Sequence, residues 1–110
     1  MPVSYFVRYQ GMPAPADPFV DYYRTRHAAI LADFPGIRSL TLHTPVGWTD
    51  RYPVNPDPTG FLAQMSFESA AALDAALQSE ARARARDDFA NLPPVRGPVT
   101  HLAMTSERIF

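Results

Sequence analysis

The stretch Asp17–Phe34 constrains this chain most. Its apolar residues recur at helical spacing, and it runs straight into Pro35-Gly36, a pair that ends a helix. Phe19, Val20, Tyr23, Ile30, Leu31 and Phe34 fall on one side, and His27 lies one turn from both Tyr23 and Leu31. An ionisable ring is therefore expected on the buried face of an amphipathic helix. Asp17 reads as its cap, with Pro18 at the first helical position, where a missing N–H costs least. The helix should end at Phe34, because the residue before a proline disfavours helical backbone.

Around this helix the period changes to two. Val3–Tyr9 predicts a first strand with Val3, Tyr5, Val7 and Tyr9 on one face, and residues 37–44 predict a second, closed by Pro45. Residues 46–59 carry Gly47, Pro53, Asn55, Pro56 and Pro58, which suit neither a helix nor a central strand, so this is the principal loop. Phe61–Phe67 and Val99–Thr105 predict the third and fourth strands. Between them Ser69 caps an alanine-rich helix to about Leu77, and Ser79 caps another that reaches Asn91 before Pro93-Pro94.

The order β-α-β-β-α-β predicts a ferredoxin-like α+β fold, an antiparallel four-stranded sheet with helices on one face. Apolar side chains occur on both sides of the first, third and fourth strands, where a solvated face would alternate more cleanly. A homodimer with its two sheets face to face is expected.

Composition narrows the chemistry. The 110 residues fit one domain, 1–110, with no cysteine and no lysine, which excludes thiol catalysis, disulfides, thiolate metal ligands and lysine Schiff bases. A net charge of −1 argues against a nucleic-acid partner. Of Arg82, Arg84 and Arg86, only Arg82 and Arg86 share a helical face, so they form no continuous basic strip. No secretory leader or membrane-spanning run is evident, and a cytoplasmic protein without membrane association is expected.

Arg8-Tyr9 ending the first strand, Phe19-x-x-Tyr22-Tyr23-x-x-x-His27, then Phe34-Pro35-Gly36-Ile37 and Phe67-Glu68-Ser69 ahead of Leu73 and Leu77 occur in a telling order. With Ser79-Glu80 and Asp87-Asp88-Phe89-Ala90-Asn91, the chain resembles the EthD-like family of the dimeric α+β barrel superfamily over nearly its whole length. It departs from the family pattern at Ala29 and Ile30, where a proline and a leucine are usual. The resemblance implies a homodimer that binds a small apolar or aromatic ligand. It allows either a cofactor-free monooxygenase, cyclase or isomerase, or a non-catalytic accessory protein of an oxidative degradation system; the superfamily also contains haem-binding enzymes.

His27 is the candidate catalytic acid or base, since a neutral imidazole can exchange a proton near neutral pH; the alternative is a core histidine satisfied by backbone or water. Tyr23 is placed to orient a substrate oxygen. Tyr5 and Tyr9 share a strand face and are candidates for an aromatic pocket, or for core packing. His43 and His101, each on a strand, are further candidates for the same helix-to-sheet cavity. Trp48 opens the long loop, as part of a lid over an apolar substrate or of a wrap around the partner subunit, or as the one indole that pins a surface loop. The three histidines lack compact ligand spacing, so no metal is expected, and without a phosphate-binding fingerprint no cofactor is expected either. Asp87-Asp88 beside the arginines reads as a solvated charge cluster.

Overall fold

The computed structural model describes residues Met1–Phe110. Four strands, β1 (Val3–Gln10), β2 (Ser39–His43), β3 (Thr59–Phe67) and β4 (Val99–Thr105), form one antiparallel sheet in the order β2-β3-β1-β4. The first crossover is built from α1 (Asp17–Tyr22), a π-helical turn (Tyr23–His27) and α2 (Ala28–Leu31). The second consists of α3 (Ala70–Leu77), α4 (Glu80–Asp88) and a 3₁₀ turn (Phe89–Asn91). This is the expected ferredoxin-like α+β protomer. No helix is long and apolar enough to cross a membrane.

Register explains the core. Tyr5, Val7 and Tyr9 stand opposite Met65, Ala63 and Phe61, so these residues share the face that the helices cover. Phe19, Tyr23 and Leu31 from the first crossover and Leu73, Ala76, Ala81 and Ala85 from the second bury against them. The other face carries Phe6, Leu62, Gln64, Leu102 and Met104; Met104 is 54 % exposed and Leu102 is exposed as well, while Phe6 and Leu62 are half-buried.

The helix ends differ in part from the sequence reading. Ser69 and Ser79 cap as expected, accepting from the Ala72 and Arg82 N–H groups. Asp17 does not cap: the N-cap is Ala16, with no side-chain bond, and Asp17 sits in the first turn, where its carboxylate still favours the positive end of the helix. α2 ends at Leu31 rather than Phe34, because the chain tightens there, with Asp33 and Phe34 N–H donating to Ile30 and Leu31 O. Gly36, at φ 75°, takes the left-handed conformation that reverses the chain. β2 consequently starts at Ser39, two residues after the expected Ile37.

A second glycine positions the site. Gly11, at φ 64°, lies so close to Gly97 that a Cβ there would come within 2.4 Å of the Gly97 nitrogen. Arg96 N–H donates to Gly11 O at 2.8 Å and Gly97 N–H to Gln10 O at 3.1 Å. The proline-rich run before β4 is thereby tied to the end of β1.

Candidate active site

Both crossovers deliver side chains to one point between helices and sheet. His27 is only 2 % exposed, and its Nδ1 lies 2.8 Å from Asp88 Oδ2. Tyr22 Oη donates to Asp88 Oδ1 at 2.8 Å, and Asn91 Nδ2 donates to the same oxygen at 3.0 Å. The imidazole stacks on Phe89, with centroids 5.6 Å apart and planes 15° apart, and meets Tyr23 at 4.7 Å. A ring stacked on one aromatic, in contact with a second and bonded at one nitrogen has a fixed orientation.

The π-helical turn makes this convergence possible. In a continuous α-helix, residues five apart point roughly 140° away from each other. Here Ala28 N–H donates to Tyr23 O, five residues back, and the widened turn lets Tyr22 and His27 reach one carboxylate. On α4, Asp88 continues the buried row Ala81-Ala85 at i, i+4, i+7 spacing.

Burial pushes the Asp88 carboxyl up, but the hydrogen bonds from Asn91, His27 and Tyr22 outweigh it and hold the group below its usual value. An ionised carboxylate only accepts, so the His27 nitrogen facing it carries the proton, and in the neutral ring the lone pair is on Nε2. No side chain or backbone group bonds Nε2. Tyr22, donating to a carboxylate, has its phenol pushed up.

His27 lines a small inner cavity of about 20 Å³, room for one water molecule. A larger cleft of about 450 Å³, the size range of small-molecule sites, lies beside it. Tyr9, Arg86, Phe89 and His101 line both, and Phe19, Leu92 and the Pro93-Pro94 run complete the apolar wall of the cleft. Tyr9, 2 % exposed, has a buried hydroxyl that makes no hydrogen bond. Burial pushes its phenol up to about 12; the Tyr23 hydroxyl and Arg86 favour its anion without reversing this, so Tyr9 remains a donor at neutral pH. Burial likewise pushes the Tyr23 phenol well up. At the rim, Tyr5 Oη and His101 Nδ1 lie 2.7 Å apart, and His101 is pushed toward its neutral form by partial burial and by Arg82 and Arg86.

Five of the seven candidates thus gather here: His27, Tyr5, Tyr9, Tyr23 and His101. Two do not. His43 pairs with Leu62 in register, which puts it on the opposite face of the sheet, where its Nε2 lies 3.0 Å from Gln64 Oε1. Trp48 is 58 % exposed in the long loop and borders a separate surface hollow with Tyr52 and Val54. The three histidines therefore share no pocket. Asp88, read as a solvated charge from sequence, is 8 % exposed and holds His27. Its place on the Ala81-Ala85 row was the available signal; the arginines beside it masked that signal.

Residues 13–92 match the EthD domain. The chain belongs to the EthD family. The matched span includes Tyr22, His27, Asp88 and Asn91, while Tyr5, Tyr9 and His101 of this EthD member lie outside it. No curated protein matches the sequence. Among solved structures, an ethyl tert-butyl ether d (EthD) family protein from Bacillus halodurans C-125 shares 18 % identity with a TM-score of 0.74, over 97 % of this chain and 100 % of its own. A monooxygenase from Streptomyces coelicolor in complex with nanaomycin D shares 21 % identity with a TM-score of 0.66, over 99 % and 89 % of the two chains. SnoaB, a cofactor-independent oxygenase from Streptomyces nogalater (mutant N63A), shares 20 % identity with a TM-score of 0.61, over 97 % and 94 %. At these identities the likeness is one of fold.

Proposed function

We propose that this EthD protein binds a small, planar aromatic molecule in the cleft and performs cofactor-free proton transfer on it, with His27 as the acid–base group. The observation that carries this reading is the buried His27–Asp88 pair, which leaves Nε2 as a free acceptor at a cavity joined by shared walls to an apolar cleft. Nε2 takes a proton from a phenol or an activated C–H of the substrate. Asp88, still accepting from Nδ1–H, then stabilises the imidazolium. Tyr9 offers its unmatched hydroxyl to the oxygen on which negative charge collects. Return of the proton to a different atom gives an isomerisation; attack of the anion's carbon on a carbonyl of the same molecule, whose oxygen then takes the proton back, gives a cyclisation; in an oxygenation the anion's carbon gives its electron pair to dioxygen, and the resulting hydroperoxide loses water to leave a ring carbonyl. A cofactor-independent oxygenase of similar fold supports the cofactor-free reading, and a monooxygenase of similar fold holding nanaomycin D supports a small-molecule ligand.

A second copy covers the open face of the sheet in this reading, since Leu102 and Met104 are exposed there and Phe6 and Leu62 are only half-buried within one chain. Sedimentation at twice the 12.2 kDa chain mass is the expected result. Catalysis is tested with hydroxylated naphthoquinones and naphthols in air, without added cofactor, following absorbance and oxygen uptake. His27→Gln should lower kcat by about 100-fold or more, and Asp88→Asn by a smaller factor. Turnover by His27→Gln at the wild-type rate would remove His27 from the mechanism.

A further inference from the structure

The charge where the inner cavity meets the cleft specifies the ligand further: Arg86 lines both, and Arg82 lines the inner cavity. Arg82 and Arg86 lie one turn apart on the face of α4 that lines the inner cavity, where like charges repel. Neither forms an ion pair, although Arg84, on the other side of the same helix, bonds Asp33 at 3.2 Å. Asp88, the buried carboxylate of α4, has both oxygens occupied by Tyr22, Asn91 and His27. The two guanidinium groups are held over aromatic rings instead: Arg82 Cζ lies 6.0 Å from the Tyr5 centroid and Arg86 Cζ 5.2 Å from that of Phe89. A second, independent feature points the same way. The Tyr9 hydroxyl is buried and makes no hydrogen bond, although the Tyr23 hydroxyl is near enough to favour its anion, and it belongs to a residue on the wall that both cavities share.

We propose that the cleft selects an aromatic oxyanion, a ring bearing an ionised hydroxyl or carboxylate, whose charge is met by Arg82 and Arg86 and whose oxygen accepts from Tyr9. The ring lies against Phe89, Phe19 and Pro93-Pro94, which supply apolar contact and no charge. Tyr5 lines the inner cavity and is bonded to His101, which partial burial and the two arginines push toward its neutral form. This inference rests on the cleft being the small-molecule site, and it adds what that reading leaves open: the sign of the ligand's charge and the residues that select it.

Three probes test it by calorimetry: 2-hydroxy-1,4-naphthoquinone as the ring oxyanion, 2-naphthoate as the carboxylate, and neutral 2-methyl-1,4-naphthoquinone. At least one anion should bind about tenfold or more tighter than the neutral quinone, a preference that shrinks with added salt. Which anion wins identifies the oxyanion. Arg82→Gln and Arg86→Gln should each weaken the preferred anion several-fold and leave the neutral quinone unchanged, whereas Arg84→Gln should change neither. Equal binding of neutral and anionic probes, or an anion preference that survives the double Arg82→Gln, Arg86→Gln variant, overturns the charge selection and leaves the cleft as a binding site. Failure of all three probes to bind or to move the His27 and His101 imidazole resonances overturns both readings.

Discussion

Asp88 collects three hydrogen bonds at a position that disfavours a carboxylate, the last turn of α4, where the helix end is itself negative. Truncation to alanine leaves His27, Tyr22 and Asn91 without their shared acceptor, so Asp88→Ala should destabilise the protein by about 3 kcal/mol, read as a fall in the urea midpoint. An unchanged midpoint would mean that the cluster is not formed in solution. The acid limb follows from the same bonds. Burial raises the Asp88 carboxyl and the three donors lower it further, to a net position below 3.8. Its stabilisation is therefore fully present above that value and is lost as pH falls through the lower folded value. Asp88→Asn should lack this part of the acid-induced loss. His27 itself was legible in sequence as a polar break in an apolar helical face. Its partner was not, because 61 residues separate the two and no local pattern encodes that contact.

At the scale of elements, the same residue types act differently according to backbone. Ser69 and Ser79 adopt extended conformations and accept from the N–H three residues on, so Ser69→Ala and Ser79→Ala should each cost about 1 kcal/mol. Asp17 makes no such bond, and Asp17→Ala should stay within about 0.5 kcal/mol of wild type, losing only a dipole contribution. Thermal denaturation of the three variants separates these outcomes; an Asp17→Ala loss equal to the serine losses would contradict the observed cap. The serines were readable because each directly precedes an alanine-rich helical run. Asp17 misled because Pro18 suits either of the first two helical positions. The π-helical turn has no comparable mark in Tyr23–His27: its residues fit an α-helix equally well, and only packing against Asp88 and Phe89 selects the wider turn.

Across the whole molecule, strand order and helix placement followed from alternating periods, since period two and period 3.6 each bury one face. The same parity separates His43 from His101. His43 lies opposite Leu62 and faces away from the helices, whereas His101 lies opposite Val7 and faces the cavity. Alternation within each strand was visible in sequence; which parity faced the helices became fixed only when the strands were paired. The cleft itself is assembled from distant segments, β1, α1, the end of α4, the proline run held by Gly11 and Gly97, and β4, and so had no local signature. A long-range ¹⁵N–¹H spectrum of the imidazoles at neutral pH reads the resulting state of His27 directly. The proton should be on Nδ1, with Nε2 bare, and the Nε2 resonance should move when 2-hydroxy-1,4-naphthoquinone is added. A proton on Nε2 with Nδ1 bare, or an Nε2 resonance indifferent to the ligand, would contradict His27 as the base that Asp88 holds toward the cavity.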